Sequence, residues 1–158
     1  MEAMAIILGQ PSGDLILGTD RADLLRGQDG NDVLRGLAGD DRLLGGEGDD
    51  RLDGGGGDDS LDGGFGTDTA VYAGNTAGYL VAVLDGSIRV SDLDGTDGDE
   101  GQDRLIGIER IEFADAVRRF DGANNPPVAR DDALISDSLN PAHDPHDIVA
   151  VPTDWLFV

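Results

Sequence analysis

A nine-residue repeat constrains the fold of this 158-residue chain more than any other feature. From Gly9 onward seven consecutive units align: GQPSGDLIL, GTDRADLLR, GQDGNDVLR, GLAGDDRLL, GGEGDDRLD, GGGGDDSLD and GGFGTDTAV. In every unit position one is glycine, position six is aspartate and position eight is aliphatic. The aspartates are Asp14, Asp23, Asp32, Asp41, Asp50, Asp59 and Asp68. A repeat of this length predicts a solenoid, in which each unit stacks on its neighbours.

The residue types within one unit predict a turn followed by a short strand. The first six positions are rich in glycine and aspartate, and glycine at positions two and four permits positive φ. The last three positions form a minimal strand whose middle side chain points inward and whose neighbours point outward. Ala5–Leu8 fits as a leading strand, with Ile7 in the inward register. The sequence therefore predicts an all-β solenoid.

Stacking of the turns predicts a cation between aspartates. One unit makes half a coil, so turns on the same side lie eighteen residues apart and their carboxylates stack at about 4.8 Å. Such carboxylates repel unless a cation separates them. Ca²⁺ accepts six to eight oxygen ligands in flexible geometry, whereas Mg²⁺ needs a tighter octahedron and zinc prefers nitrogen or sulfur. The predicted pairs are Asp14–Asp32, Asp32–Asp50, Asp50–Asp68, Asp23–Asp41 and Asp41–Asp59.

The charge of the chain agrees with cation binding. Residues 9–71 contain fifteen acidic and five basic residues, so five Ca²⁺ ions, one for each aspartate pair, would neutralise the segment. The whole chain has a net charge of -22, which disfavours nucleic acids and anionic membranes as partners. No apolar run approaches the roughly 18 residues of a membrane span, so we expect no membrane insertion. There is no cysteine, and residues 1–8 do not have the pattern of a signal peptide.

The units GGEGDDRLD and GGGGDDSLD meet in full the consensus GGxGxDxUx, and residues 9–71 resemble the haemolysin-type, or RTX, calcium-binding repeat. The resemblance implies a secreted bacterial protein that folds as a parallel β-roll. Ca²⁺ would bind between its turns, through the position-six aspartates and the carbonyls of neighbouring turn residues. The strongest implied ligands are Asp32, Asp41, Asp50, Asp59 and Asp68. The full implied set adds Asp14, Asp23, Gly27, Asp29, Gly30, Gly36, Gly39, Gly45, Gly46, Glu47, Gly48, Gly54, Gly55, Gly56, Gly57, Gly64 and Gly66.

The first two units depart from the consensus. The unit GQPSGDLIL lacks glycine at positions two and four and places Pro11 in its turn. The unit GTDRADLLR has Arg21 where a glycine is expected. The sequence leaves open whether Asp14 and Asp23 complete a calcium site or close one from one side only.

A small β cap is predicted after the repeats, because an open solenoid end exposes unpaired edge groups. Tyr79–Leu84 and residues 87–90 read as two strands joined by the tight turn Asp85-Gly86. The stretch GIERIEFAD (107–115) resembles the strand that closes RTX rolls.

Residues 92–103 separate the hairpin from this closing strand, and we interpret them as a solvated acidic loop. The alternative is a calcium loop of the DxDx kind. It is disfavoured because Asp97 stands where an EF-hand requires glycine.

The remaining residues read as an irregular acidic tail, which gives a predicted division into a roll (1–71), a cap (72–121) and a tail (122–158). His143 and His146 in HDPHD are a candidate metal pair, but Pro145 between them favours exposed tail residues. The C-terminal DWLFV (154–158) resembles the uncleaved signal of type I secretion substrates, which implies a type I exporter as partner and an extracellular location. The alternative is a short strand packed on the cap.

No catalytic constellation is present, so the sequence predicts a protein that is not an enzyme. The predicted function is calcium-dependent folding outside the cell.

Two readings of its purpose remain open. In one reading the protein is complete, as Met1 directly before a leading strand favours. Its uncapped roll end, with Leu15, Leu24 and Val33 facing outward, then builds homo-oligomers or filaments. In the other it is the C-terminal secretion and folding module of a larger RTX enzyme, toxin or adhesin.

Overall fold

The computed structural model describes residues 4–96 and 98–120 of the chain, and within them the fold is all-β. The strands are β1 (Ala5–Leu8), β2 (Leu15–Leu17), β3 (Asp23–Asp29), β4 (Val33–Ala38), β5 (Arg42–Glu47), β6 (Arg51–Gly56), β7 (Ser60–Phe65), β8 (Thr69–Val71), β9 (Tyr79–Leu84), β10 (Ser87–Asp92), β11 (Gln102–Ile106), β12 (Arg110–Glu112) and β13 (Val117–Arg119). A short 3-10 helix covers Thr76–Gly78. One sheet has the order β1-β3-β5-β7-β11-β10-β9 and the other β13-β12-β8-β6-β4-β2.

Within the repeats, alternate strands pair in parallel and in a register of eighteen residues, which confirms the predicted parallel β-roll. Each three-residue strand segment has one inward side chain, so the core consists of two columns, one from each sheet. Leu25, Leu34, Leu43 and Leu52 in these columns are completely buried. The first column is Ile7, Leu25, Leu43, Leu61 and Leu105, and the second is Ile16, Leu34, Leu52, Ala70 and Ile111. Burial of one leucine contributes about 1.5–3 kcal/mol, so the columns supply the apolar driving force of the roll.

The turns between strands use left-handed backbone at positions two and four, as predicted. Gly46 and Gly48 both have a φ of 128°. A Cβ atom at Gly48 would lie 2.2 Å from the carbonyl oxygen of Gly30, so the neighbouring turn also excludes a side chain here. Gln28 and Leu37 occupy position two with a φ of 87° and therefore carry backbone strain that glycine avoids.

The cap begins with the predicted hairpin, in which β9 and β10 pair antiparallel across Asp85 and Gly86, both with positive φ. Strands β11 and β12 continue the two sheets in parallel with β7 and β8. The predicted strand within residues 107–115 is confirmed as β12. Rings of Tyr72, Tyr79 and Phe113 pack together with centroids 5.1–5.6 Å apart and belong to the buried hydrophobic core.

One prediction for the cap was wrong in part. Leu93 to Thr96, Gly98 and Asp99 are exposed, as expected for a solvated loop. However, Gln102 begins β11, and Asp103 is only 3% exposed. The reason is that GQDRLIG (101–107) repeats the second half of the nine-residue unit, so it folds as a further turn and strand.

An ion pair joins the cap to the roll on the outer face of the second sheet. Arg51 of β6 donates from both terminal nitrogens to the carboxylate of Glu112 of β12, at 2.7 and 2.9 Å, across the intervening β8. Both side chains are partly exposed, so the pair contributes at most about 1 kcal/mol. Its two-point geometry fixes the alignment of the closing strand.

The predicted tail (122–158), with its histidines and its C-terminal signal, lies outside the described residues, and the three-part division of the chain stays a prediction. Among the residues that the structure describes, no helix is long and apolar enough to cross a membrane.

Candidate metal centre

The position-six aspartates form two ladders, one on each side of the roll, which we call the inner ladders. In each rung the backbone N–H of one aspartate donates to Oδ1 of the aspartate eighteen residues later. The distances are 2.8 Å for Asp32 to Asp50 and for Asp50 to Asp68, and 2.7 Å for Asp41 to Asp59. Asp14 to Asp32 and Asp23 to Asp41 repeat the contact at 2.7 Å. The structure therefore brings together all five predicted aspartate pairs.

The second oxygen of these carboxylates distinguishes one set of turns from the rest. Five Oδ2 atoms are buried and have no hydrogen-bond partner among the described residues. They belong to Asp32, Asp41, Asp50, Asp59 and Asp68. A buried ionised carboxylate oxygen without a partner is strongly destabilising, so each of these carboxylates favours a bound cation or a proton. We call the turns that carry them, within residues 27–68, the consensus turns.

The position-one glycines leave room for these oxygens. A Cβ atom at Gly27 or Gly36 would lie 2.1 Å from Oδ2 of the aspartate five residues later, and Gly45 and Gly54 repeat this geometry at 2.2 and 2.1 Å. These four glycines were predicted as backbone ligands, and the structure gives them a steric role. Gly63 has the same role beside Asp68, at 2.5 Å, although the predicted set omitted it.

The electrostatics of the consensus turns also favour a bound cation. Burial raises the pKa of Asp41 to about 6 and that of Asp59 to about 7, and the negative charges of neighbouring aspartates add to the effect. Burial likewise raises the pKa of Asp68 to about 7. The pKa values of Asp32 and Asp50 are also raised by burial. The metal-free fold therefore disfavours the ionised carboxylates that a Ca²⁺ ion needs as ligands.

Turns 9–14 and 18–23, the degenerate turns, satisfy their aspartates with protein donors. Oδ2 of Asp14 accepts a hydrogen bond from the backbone N–H of Gln10 at 2.5 Å. Oδ2 of Asp23 accepts from the backbone N–H of Thr19 at 2.6 Å and from its hydroxyl at 2.8 Å. Burial alone would raise the pKa of Asp23, but the hydrogen bonds from Thr19, a further one from the Ala5 N–H and the charge of Arg21 outweigh it and lower the pKa. Neither aspartate has an unpaired oxygen of the kind found in the consensus turns.

The cap ends both inner ladders with residues that the predicted set did not contain. Asp59 donates its backbone N–H to Oδ1 of Asp103 at 2.8 Å, and the Tyr72 hydroxyl donates to Oδ2 of Asp103 at 2.8 Å. On the other side, Asp68 donates its N–H to the Glu109 carboxylate at 2.8 Å. Burial raises the pKa of Asp103 to about 8. The glycine, aspartate and leucine spacing of GQDRLIG is the signal that could have revealed Asp103.

The remaining predicted ligands are turn residues whose carbonyls face neighbouring turns. The carbonyl of Glu47 accepts from Gly30 N–H at 2.7 Å, and that of Gly56 accepts from Gly39 N–H at 2.8 Å. A carbonyl oxygen has two lone pairs, so such a hydrogen bond leaves one for a metal. Asp29 is exposed, and the structure gives its side chain no hydrogen-bond role. The other turn glycines of the set, Gly46, Gly48, Gly55, Gly57, Gly64 and Gly66, have positive φ.

The donor set fits Ca²⁺. Within residues 4–96 and 98–120 no point gathers three or more aspartate, glutamate or histidine side chains, so carbonyls must complete any coordination shell around an aspartate pair. Ca²⁺ accepts such mixed oxygen ligands readily. Asp32, Asp41, Asp50, Asp59 and Asp68 would hold the ions, each through a carboxylate oxygen that the protein leaves unpaired.

The family comparison agrees with this geometry. The family described as RTX calcium-binding nonapeptide repeat (4 copies) matches residues 8–43, 17–50 and 36–70. Among solved structures, the extracellular lipase LipA from Serratia marcescens matches 78% of this chain with 19% sequence identity and a TM-score of 0.48. The match spans 18% of the length of that lipase. No curated protein sequence matches the chain.

Proposed function

We propose, from the match of residues 8–70 to the RTX calcium-binding nonapeptide repeat, that the protein is an extracellular module that folds when Ca²⁺ binds after type I secretion. The single observation that carries the proposal is the set of five buried Oδ2 atoms without a partner in the consensus turns. Bound Ca²⁺ supplies the positive charge that these oxygens and their stacked neighbours lack. Its binding free energy then becomes folding free energy.

The protein's own residues would prepare the sites for the ion. The inner-ladder hydrogen bonds direct Oδ1 of each aspartate toward the preceding turn, which leaves Oδ2 for the metal. The position-one glycines keep the space beside Oδ2 open. At low free Ca²⁺ the stacked position-six carboxylates repel one another and destabilise the fold. A chain without a stable fold suits passage through a narrow exporter. The proposal assigns no catalytic role to the described residues.

The number of ions follows from the same observation. The sequence predicts five ions from five aspartate pairs. Only Asp32–Asp50, Asp50–Asp68 and Asp41–Asp59 have an unpaired Oδ2 on both sides. We therefore expect three sites of highest affinity, with weaker sites at the two pairs that include Asp14 and Asp23.

Far-UV circular dichroism tests the proposal directly. The full chain is stripped with EDTA at neutral pH and titrated with Ca²⁺, with Mg²⁺ as the control ion. We expect a cooperative gain of β signal with Ca²⁺ alone. Full β signal in EDTA, or an equal response to Mg²⁺, would overturn calcium-dependent folding.

Secretion requires a separate test, since the C-terminal DWLFV segment lies outside the described residues. Cells that carry a type I exporter should release the full chain into the medium. Removal of residues 154–158 should retain it inside, while the purified truncated protein still folds with Ca²⁺. Release without those residues would contradict a secretion role for this segment.

Two biological settings fit the module. Exposed Met4, Ile6, Leu8, Leu15 and Leu17 gather on β1 and β2, whose outer edges have no strand partner among the described residues. This surface favours self-association through the roll end. The second setting is the C-terminal part of a larger RTX enzyme, toxin or adhesin. Sedimentation of the Ca²⁺-loaded chain separates them, because a strict monomer at all concentrations contradicts self-association.

A further inference from the structure

A second set of ladders lies on the outside of the turns, at position five, and we call these the outer ladders. Asp49 donates its backbone N–H to Oδ1 of Asn31 at 3.0 Å, and Thr67 donates its N–H to Oδ1 of Asp49 at 2.8 Å. On the other side of the roll, Asp58 donates to Oδ1 of Asp40 at 3.1 Å. Gln102 of the cap donates to Oδ1 of Asp58 at 2.9 Å. The accepting side chains are thus Asn31, Asp40, Asp49 and Asp58.

The outer ladders run in the opposite direction to the inner ladders. At position six the earlier turn donates its N–H and the later turn supplies the carboxylate, as in Asp32 to Asp50. At position five the later turn donates and the earlier turn supplies the oxygen, as in Asp49 to Asn31. Adjacent residues of each turn therefore bind the neighbouring turn reciprocally. A slip of one turn relative to the next would break both contacts at once.

The oxygen at position five acts as an acceptor, and its charge is not needed for the contact. Asn31 has a neutral amide, yet it accepts the same bond at 3.0 Å that Asp49 and Asp58 accept at 2.8 and 2.9 Å. The two degenerate turns have Gly13 and Ala22 at this position, neither of which offers an acceptor. The same two turns have no unpaired Oδ2 atom. Each of the four turns with an outer-ladder acceptor therefore also has an open metal ligand, and Asp68, beside Thr67, is the one open ligand in a turn without such an acceptor.

We propose that Asn31, Asp40, Asp49 and Asp58 are positioning residues of the calcium sites. They hold successive consensus turns in the register at which paired position-six carboxylates and turn carbonyls can share an ion, and they do not bind the ion themselves. The inference rests on the proposed calcium-dependent folding. It assigns a function to four exposed side chains on the solvent side of the turns, none of which belongs to the predicted ligand set.

The test compares two substitutions of one residue in the full chain. Asp49→Ala removes the acceptor for Thr67, whereas Asp49→Asn keeps an oxygen in place and removes the charge. We expect Asp49→Ala to raise the Ca²⁺ concentration at the folding midpoint by roughly three- to tenfold, the effect of one lost hydrogen bond. We expect Asp49→Asn to stay within about twofold of the unchanged chain. Asp20→Ala is the control, since it removes one charge from an exposed turn position outside the ligand set and no side-chain hydrogen bond that the structure describes.

Asp58→Ala and Asp58→Asn repeat the comparison on the other side of the roll, where Gln102 is the donor. Equal midpoints for the alanine and asparagine variants, on either side, would overturn the proposal, because the charge and not the acceptor would then matter. If an alanine variant never reaches full β signal while its asparagine counterpart does, the proposal stands. A chain whose unchanged form ignores Ca²⁺ would instead overturn the proposed function itself.

Discussion

The degenerate turns and the consensus turns place the same residue, an aspartate at position six, in the same ladder and the same register. They differ in what surrounds the second carboxylate oxygen. In the degenerate turns a donor from position two, Gln10 or Thr19, reaches that oxygen. In the consensus turns position two has left-handed backbone, and the oxygen stays unpaired. The conformation of the turn before it therefore decides whether the second oxygen of a motif aspartate is satisfied by the protein or left open to a cation.

The largest expected effect comes from the aspartate at the centre of one inner ladder. Asp50 belongs to two pairs in which the Oδ2 atoms of both aspartates are unpaired. Asp50→Asn should therefore raise the Ca²⁺ concentration at the folding midpoint at least about tenfold, as for loss of contacts to a charged group. Asp14→Asn, its counterpart in a degenerate turn, should change the midpoint by less than about twofold. Calcium titrations followed by circular dichroism measure both. Equal shifts would remove the distinction between the two kinds of turn.

Loss of the space beside Oδ2 should have the next largest effect. A Cβ atom at Gly54 would lie 2.1 Å from Oδ2 of Asp59, so Gly54→Ala must displace the carboxylate. We expect a loss of about 1–3 kcal/mol in the free energy of unfolding with Ca²⁺ bound, typical of overpacking. Gly95→Ala is the control, because nothing lies within 4 Å of its Cβ position. Denaturant unfolding in Ca²⁺ would contradict the steric role if both variants matched the unchanged chain.

Acidity should affect the metal-free roll in an unusual direction. The pKa of Asp41 is raised to about 6 and those of Asp59 and Asp68 to about 7, so the folded state binds more protons than the unfolded chain. Their contribution to stability is fully present below the ordinary pKa of 3.8 and is lost as the pH rises through 6 and 7. In EDTA, β signal should therefore increase from about pH 8 to about pH 5.

The degenerate turn behaves oppositely in this experiment. The lowered pKa of Asp23 gives stability that is present above 3.8 and is lost only as the pH falls through the folded-state value. Asp59→Asn, which does not titrate, should weaken the gain of β signal on acidification. A metal-free chain that loses β signal steadily from about pH 8 to about pH 5 would contradict the raised pKa values.

Conversion of a degenerate turn should sharpen the comparison. Thr19→Gly with Arg21→Gly produces the consensus GGDGAD, removes the hydroxyl donor to Asp23 and permits left-handed backbone. We expect one additional Ca²⁺ ion per chain by native mass spectrometry. The single variant Thr19→Ser is the control, since it keeps the hydroxyl. An unchanged ion count in the double variant would show that turn conformation does not cause the difference in metal binding between degenerate and consensus turns.

The smallest effect concerns strain within a consensus turn. Leu37 has a φ of 87° and its side chain is exposed, so Leu37→Gly relieves strain and loses little packing. We expect a gain of about 1 kcal/mol in the free energy of unfolding with Ca²⁺ bound. Leu84→Gly, at an exposed strand position with ordinary backbone, should instead destabilise the protein. A loss at position 37 would show that the side chain contributes more than the strain costs.

The repeat register was predictable from the sequence because its period, its inward side chains and its aspartates all agree. The pairing of Asp32 with Asp50 follows directly from that period. The fate of Asp14 and Asp23 was not predictable, since it depends on whether a backbone N–H at position two points toward the carboxylate. The repeat period did not reveal Asp103 as a site residue, because Asp103 pairs with Asp59 over 44 residues and not over eighteen.

The Tyr72 hydroxyl on Asp103, together with Thr19 on Asp23, gives one side of the roll a protein donor at each end of its row of carboxylates. Between those ends, Asp41 and Asp59 are the rungs that need an ion. Ca²⁺ binding on that side is then expected to follow a one-dimensional lattice of sites, whose two ends are held by protein hydrogen bonds in place of ions. The steepness of its Ca²⁺ titration depends on how many aspartates with an unpaired oxygen lie between the two satisfied ends. Insertion or deletion of whole eighteen-residue coils would therefore change that steepness while both ends stay unchanged.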